Sequence, residues 1–347
     1  MTFISGIQQV GIGCTDATKT FTWLRKTFGL NVKIFDDEAK ADLMTRYTGY
    51  EVHARRAILA MNMNGGGGAE IWQFTSRTPS AGIKVNWGDY GINAVKFKST
   101  RVEDSYKMIH KNVHCTTPQN SPAGDPSFLL NDEAGNQYQV VNDRSWFKKS
   151  SFMQGGICGA VIGVSKMDEA ILFYQQGFGL NKIEYDVTGK FADLGEEAKD
   201  KTYRRALLTF KNPLTAAFSR LLGDVQIELI QAMDGHPSKV YQDRFWGDTG
   251  FIHLCFDVSD MKSLKANLEK YNFHFTVDSG DTFDMGESGG RFAYVEDPDG
   301  TLIEMVETHK VPVFKKLGIY FNLKNRKSKK PLPDWMVGLM GLNKVKD

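Results

Sequence analysis

A histidine, His253, sits in the alternating run Gly250-Phe-Ile-His-Leu-Cys-Phe-Asp. A strand with that pattern puts Ile252, Leu254 and Phe256 on one face and Phe251, His253 and Cys255 on the other. About fifty residues on, the turn Asp297-Pro-Asp-Gly300 leads into Thr-Leu-Ile-Glu304-Met-Val, where Leu302, Glu304 and Val306 share a strand face. A second glutamate of the same kind, Glu70, lies within Ala-Glu-Ile-Trp-Gln-Phe. A carboxylate in mid-strand between apolar residues is costly to bury without a cation or strong donors. A metal ion or a buried arginine is therefore the expected partner of Glu70 and Glu304. Imidazole and carboxylate together are a ligand set for a divalent transition metal.

The elements that position His253 and Glu304 form one unit. After the histidine strand comes a helix with Met261, Leu264 and Leu268 on one side, started by Ser259 and Asp260. Three short strands follow, and the last carries Glu304. The order is β-α-β-β-β, and if its sheet curls, His253 and Glu304 point into the hollow. The unit resembles one module of the vicinal oxygen chelate superfamily, which includes glyoxalase I, extradiol dioxygenases and fosfomycin- and bleomycin-resistance proteins. The pieces that carry the resemblance are Gly250-Phe-Ile-His253-Leu and Asp297-Pro-Asp-Gly-Thr-Leu-Ile-Glu304. The resemblance implies metal ligands at these two positions.

A repeat extends the unit through the chain. Trp87-Gly-Asp-Tyr-Gly91 returns as Trp246-Gly-Asp-Thr-Gly250, Arg55-Arg56-Ala-Ile-Leu59 as Arg204-Arg205-Ala-Leu-Leu208, and Phe28-Gly-Leu30 as Phe178-Gly-Leu180. Each half divides again, giving four modules that begin near Ile7, Gly91, Ile157 and Gly250. Helices are expected near Thr18–Thr27, Val102–His110 and Asp168–Gln176, beside the one already described. The expected fold is α+β: four βαβββ modules forming two paired, curled mixed sheets. The expected domains are residues 1–149 (modules one and two) and 150–308 (modules three and four). A basic tail with a short apolar helix, residues 309–347, is expected to pack on the body. The charged segment Thr188–Lys201 reads as a loop over one face.

Composition sets limits on partners. The 347 residues are 41% hydrophobic and 12% aromatic, enough for proper cores, and the net charge of +2 supplies no field for nucleic acid. The start of the chain lacks the pattern of a secretory signal, and no apolar run is long enough to span a bilayer. Cys14, Cys115, Cys158 and Cys255 show no C-x-x-C spacing and read as reduced apolar fillers in a cytoplasmic protein. A monomer or homodimer acting on a small molecule is expected. The literal G-x-S-x-G at Gly286–Gly290 precedes a strand rather than a helix, so it reads as a hairpin turn. The glycine run Gly65–Gly68 also precedes a strand and reads as a turn. The other six histidines show no ligand spacing.

The two family ligand positions can be followed through all four modules. They hold Gln9 and Glu70, Ala94 and Gln139, Gly159 and Glu228, and His253 and Glu304. Modules one and four are intact; two and three are not. In this family a metal cup forms between two facing modules. Pairing one with four would gather Gln9, Glu70, His253 and Glu304. Pairing of neighbours would instead give Glu228, His253 and Glu304 in one cup, with Gln9 and Glu70 in the other. The first arrangement is favoured, because it unites both intact modules and resembles the Gln/Glu/His/Glu set of eukaryotic glyoxalase I.

Such a cup suits Ni, Co, Mn, Fe or Zn. The resemblance then implies a glyoxalase-like lyase or isomerase, with Glu304 as the proton-abstracting base and Glu70 second. His253 and Gln9 would hold the ion. Arg56 and Arg205 are either counter-ions of the glutamates or contacts for an anionic substrate. Two alternatives stand beside this reading. One is an extradiol ring-cleavage dioxygenase, which uses two histidines and is disfavoured by Gly159. The other is a non-catalytic small-molecule binder of the bleomycin-resistance type.

Overall fold

The computed structural model describes residues 4–148, 153–280, 283–285, 288–314, 319–323 and 330–345. The first quarter of the chain folds as β1 (Ile4–Gly13), α1 (Ala17–Phe28), β2 (Val32–Lys40), β3 (Ala54–Met61) and β4 (Gly68–Phe74). The second gives β5 (Gly91–Ser99), α2 (Val102–Ile109), β6 (Gln119–Asn120), β7 (Pro126–Asn131) and β8 (Gln137–Asn142). The third gives β9 (Gln154–Gly163), α3 (Met167–Leu172), β10 (Lys182–Gly189), β11 (Tyr203–Thr209), α4 (Ser219–Leu222) and β12 (Gln226–Ala232). The fourth gives β13 (Gly250–Val258), α5 (Met261–Lys270), β14 (Val277–Asp278), β15 (Phe283–Met285), β16 (Ser288–Glu296) and β17 (Leu302–Phe314). The short strand β18 (Ile319–Asn322) and the helix α6 (Asp334–Gly338) complete the set.

The strands assemble into two mixed sheets. One has the order β14-β16-β17-β13-β1-β4-β3-β2, with β15 on β16 and β18 on β17; the other runs β10-β11-β12-β9-β5-β8-β7-β6. The central seams are the antiparallel pairs β1–β13 and β5–β9. Each sheet therefore takes one quarter from each half of the chain, first with fourth and second with third. This is the cross-pairing the ligand positions favoured.

Local chemistry explains the elements. Asp16 accepts from the Lys19 N–H at the start of α1, and Gly29 closes that helix at φ 69°. Asp260 does the same for α5 through the Ser263 N–H. The helices fill the space between the sheets. There Phe28 of α1 stacks at 3.8 Å on Phe97 of β5, and Phe178 at 5.0 Å on Phe256 of β13. The opposite face of each sheet is the concave one.

Several expectations need adjustment. The third helix is shorter than the periodicity predicts: α3 ends at Leu172 and continues as a π-helical turn, Phe173–Gly177. The strand pattern does not stop at Thr308; β17 runs on to Phe314 and pairs with β18. The Thr188–Lys201 segment holds the end of β10 and a short 3-10 turn, Ala192–Leu194. The serine motif lies between the antiparallel partners β15 and β16, although Gly286 and Glu287 fall outside the described residues. Much of the basic segment of the tail does so too, while Leu332, Val337 and Met340 are buried against the body. All four cysteines are free and buried. Among the described residues no helix is long and apolar enough to cross a membrane.

Candidate metal centre

Four neighbouring strands of the first sheet converge on one buried point. Gln9 comes from β1, Glu70 from β4, His253 from β13 and Glu304 from β17; all four are less than a tenth exposed. The Gln9 amide donates from Nε2 to Glu70 Oε2 at 3.1 Å and to Glu304 Oε2 at 3.2 Å. His253 Nε2 lies 3.1 Å from Glu304 Oε2 and 3.4 Å from Glu70 Oε2. These are ion-pair distances without hydrogen-bond alignment, so Nε2 is left with no hydrogen bond. Ligand-type atoms of Glu70, His253 and Glu304 all lie within 4.8 Å of one another.

The backbone makes room for this arrangement. Gly11 pairs with His253 across the seam, and a Cβ at Gly11 would fall 2.4 Å from the imidazole. The ring thus lies against bare main chain. On its other side the Tyr294 hydroxyl sits 3.4 Å from Nδ1, and the Trp246 ring lies nearly parallel to it. Tyr294 stays a neutral phenol: burial pushes its pKa well up, and the Glu304 and Glu70 carboxylates push it further.

Electrostatics bind the group together. Burial alone would lower the His253 pKa, but the Glu304 and Glu70 carboxylates outweigh it and raise it to about 9. Burial raises the Glu304 carboxyl, and the His253 imidazole more than reverses this, leaving it below its ordinary value. The donor set fits a divalent cation. Two carboxylates are balanced by one such charge, and the buried Gln9 Oε1 and His253 Nε2 both lack a hydrogen-bond partner. A half-turn of the amide exchanges Gln9 Oε1 with Nε2.

The site opens into a cavity of about 210 Å³ with largely apolar walls. Trp72, Trp246 and Leu59 stand near the centre; Phe218 and Leu222 reach in from around α4, and Met340 from beyond α6. The tail is fixed there by the bond from Leu332 N–H to the Ala217 carbonyl. These walls, with Tyr294, were not anticipated from the sequence. They come from segments remote along the chain, and only the parity of Tyr294 with Phe292 on β16 hinted at its inward face.

The two arginines are placed differently. Arg56 lies on the helix-bearing face, half-buried, bonded to Asp36 and to Thr18 of α1. Its neighbour Arg55 lines the cavity, held by Asp37 at 2.8 Å and lying 5.3 Å over the Trp72 ring. Arg205 is fully buried in the other sheet, where it is a counter-ion. Its Nε lies 2.6 Å from Glu228 Oε1, and its other nitrogens bond Asp193 at 2.7 and 2.8 Å. Lys96 bonds the second oxygen of Glu228 at 2.6 Å.

Two comparisons bear on kinship. Residues 160–294 match the model of the Glyoxalase/Bleomycin resistance protein/Dioxygenase superfamily, and the two curled mixed sheets have the glyoxalase-like fold. Glyoxalase I from Zea mays has a similar structure, with 13% identity and a TM-score of 0.53 over 87% of this chain and 92% of that one. A protein from Bacillus subtilis described as a candidate dioxygenase gives 12% identity and a TM-score of 0.55, over 88% and 86%. At such identities the likeness is one of fold. No curated protein sequence matches the chain significantly.

Proposed function

We propose that this chain is a divalent-metal-dependent enzyme of the glyoxalase type, a lyase or isomerase for a small oxygenated substrate. The observation that carries the reading is the buried meeting of Glu70, His253 and Glu304 beside Gln9, with two orphaned ligand atoms among them. Gln9, Glu70, His253 and Glu304 would hold the ion. A bound divalent cation supplies Lewis acidity to a substrate oxygen.

The remaining work falls to the chain itself. Glu304 is the base: its carboxyl is held below its ordinary value, so it is ionised at neutral pH and can accept a proton from a carbon next to a carbonyl. Glu70 is the second candidate for that role. Tyr294 and the bare backbone of Gly11 fix the plane of the His253 ring. The apolar walls exclude water and strengthen electrostatic interactions within the cavity.

Elemental analysis of the purified protein beside Glu304→Gln and His253→Ala tests this. The expected result is about one divalent ion per wild-type chain, and folded variants whose metal affinity falls by about a hundredfold or more. A wild-type protein that neither retains a transition metal nor binds added nickel or iron would reject the reading. Oxygen uptake with a panel of catechols would place it instead among ring-cleaving enzymes.

A further inference from the structure

The cavity has a second polar station. Gln8 of β1, Asp257 of β13 and Thr308 of β17 all line it. They form a triangle: Gln8 Nε2 donates to Asp257 Oδ2 and to Thr308 Oγ1, and Thr308 Oγ1 donates to the same Asp257 oxygen, each at 3.3 Å. The bonds are long, and both donors crowd onto one carboxyl oxygen. Asp257 is 2% exposed, yet among the described residues no ion pair reaches it. A buried carboxyl whose donors, Ser5, Gln8 and Thr308, are all neutral is poorly compensated. Burial raises its pKa to about 7, against the donors around it.

Its place in the sheet gives the spacing. Asp257 lies four residues beyond His253 on β13, and Thr308 four beyond Glu304 on β17. At the rise of an extended strand this separates the two stations by about 13 Å of backbone, less the reach of converging side chains. Between them the wall is apolar: Val306 stands midway on β17, and Phe292 pairs with it on β16.

We infer that Gln8, Asp257 and Thr308 form a specificity station for a hydroxyl at the far end of the substrate. The substrate class is then a flat, mainly apolar molecule, with adjacent oxygens at the metal end and a hydroxyl about 10 Å away, given the strand spacing. The inference rests on the metal-centre reading above. Asp257 accepts the hydroxyl proton in a hydrogen bond, and Thr308 and Gln8 hold its carboxyl in place.

Two coloured anthraquinones make the test. Alizarin has adjacent hydroxyls at one end; flavopurpurin adds one hydroxyl on the far ring. Binding of each to nickel-loaded wild type, Asp257→Ala and Thr308→Val is followed by tryptophan quenching and by the chelation shift of the dye. Wild type is expected to prefer flavopurpurin by about tenfold, the worth of one hydrogen bond to a carboxyl. The preference should fall to about twofold or less in each variant, with alizarin as the internal reference. Thr308→Val keeps the side-chain volume and serves if Asp257→Ala does not fold. Equal affinities in wild type, an undiminished preference in the variants, or no binding of either dye to protein that does bind nickel overturns the station and leaves the metal reading standing. Absence of nickel binding in a separate calorimetric titration overturns both.

Discussion

The two sheets hold two cups with the same strand registers and opposite solutions to one electrostatic problem. Cys255 pairs with Gln9 and Glu304 in the first, and Lys96 with Gly159 and Gln139 in the second. Gly11 pairs with His253 and Glu70; Val161 pairs with Ala94 and Glu228. Leu59 lies opposite Glu70 as Leu207 lies opposite Glu228, which sets Ala57 against Arg205. Each cup thus keeps a buried glutamate that needs positive charge. The second provides it covalently: Lys96 and Arg205 stand where the first has a cysteine and an alanine. Asp193, from the segment after β10, neutralises the remainder, and the Leu194 carbonyl accepts from Trp87 over it. In the first cup the buried Arg55 and Arg291 are engaged by Asp37 and Asp278, and among the described residues His253 is the one cationic side chain paired with Glu70 and Glu304.

The largest test of this contrast is on stability. Glu228→Ala strands two buried cations and is expected to cost about 3–5 kcal/mol in urea unfolding. Glu304→Gln in metal-free protein should cost less than half of that. Acid separates the two cups as well. Burial raises the Glu228 carboxyl, but Arg205 and Lys96 pull it down to about 2 from an ordinary 4.5. A depressed carboxyl stabilises the fold above its unfolded value, and that stability disappears as pH falls through the folded value. Wild type should therefore lose up to about 3 kcal/mol relative to Glu228→Gln as pH drops through that window. Parallel acid curves for the two proteins would break the contrast.

A size exchange gives a finer test. The histidine with its glycine in one cup becomes the alanine with its valine in the other. Gly11→Val alone should drive the imidazole out of place, abolish tight nickel binding and cost about 1–3 kcal/mol. Adding His253→Ala should restore at least half of that stability without restoring the metal. A double-mutant cycle showing no coupling would refute the exchange. The smallest effect is expected from Tyr294→Phe, which removes the hydroxyl beside Nδ1. Nickel affinity should fall about tenfold with the melting temperature unchanged within a few degrees; unchanged affinity would mean that the phenol only fills space.

The sequence carried the centre of the site well and its surroundings poorly. His253 and Glu304 were legible because strand alternation fixes which residues share a face, and a mid-strand glutamate calls for a partner. Glu70 and Gln9 followed from the same pattern once the modules were aligned. The arginines show where such reading fails. Arg55-Arg56-Ala-Ile-Leu59 matches Arg204-Arg205-Ala-Leu-Leu208 at four of five positions, yet the sheets align Arg56 with Arg204. Both bridge aspartates, Asp36 and Asp186. A slip of one residue exchanges the faces of a strand, so the sequence match set Arg56 beside the wrong counterpart. The cavity walls and the Asp257 station depend on contacts between segments hundreds of residues apart, which no local pattern records.

The seam between β1 and β13 also has a temporal consequence. The second and third quarters are contiguous, so their sheet can close while the rest of the polypeptide is still being made. The strand bearing Gln9 is made before either of these and then waits, its edge bare, for a partner some 240 residues later, as Gln9 pairs with Cys255. Exposed edges of that kind invite wrong pairings. Assembly of the Gln9, Glu70, His253 and Glu304 cluster then waits for β17, and a product truncated before Glu304 would lack it while carrying every strand of the second sheet.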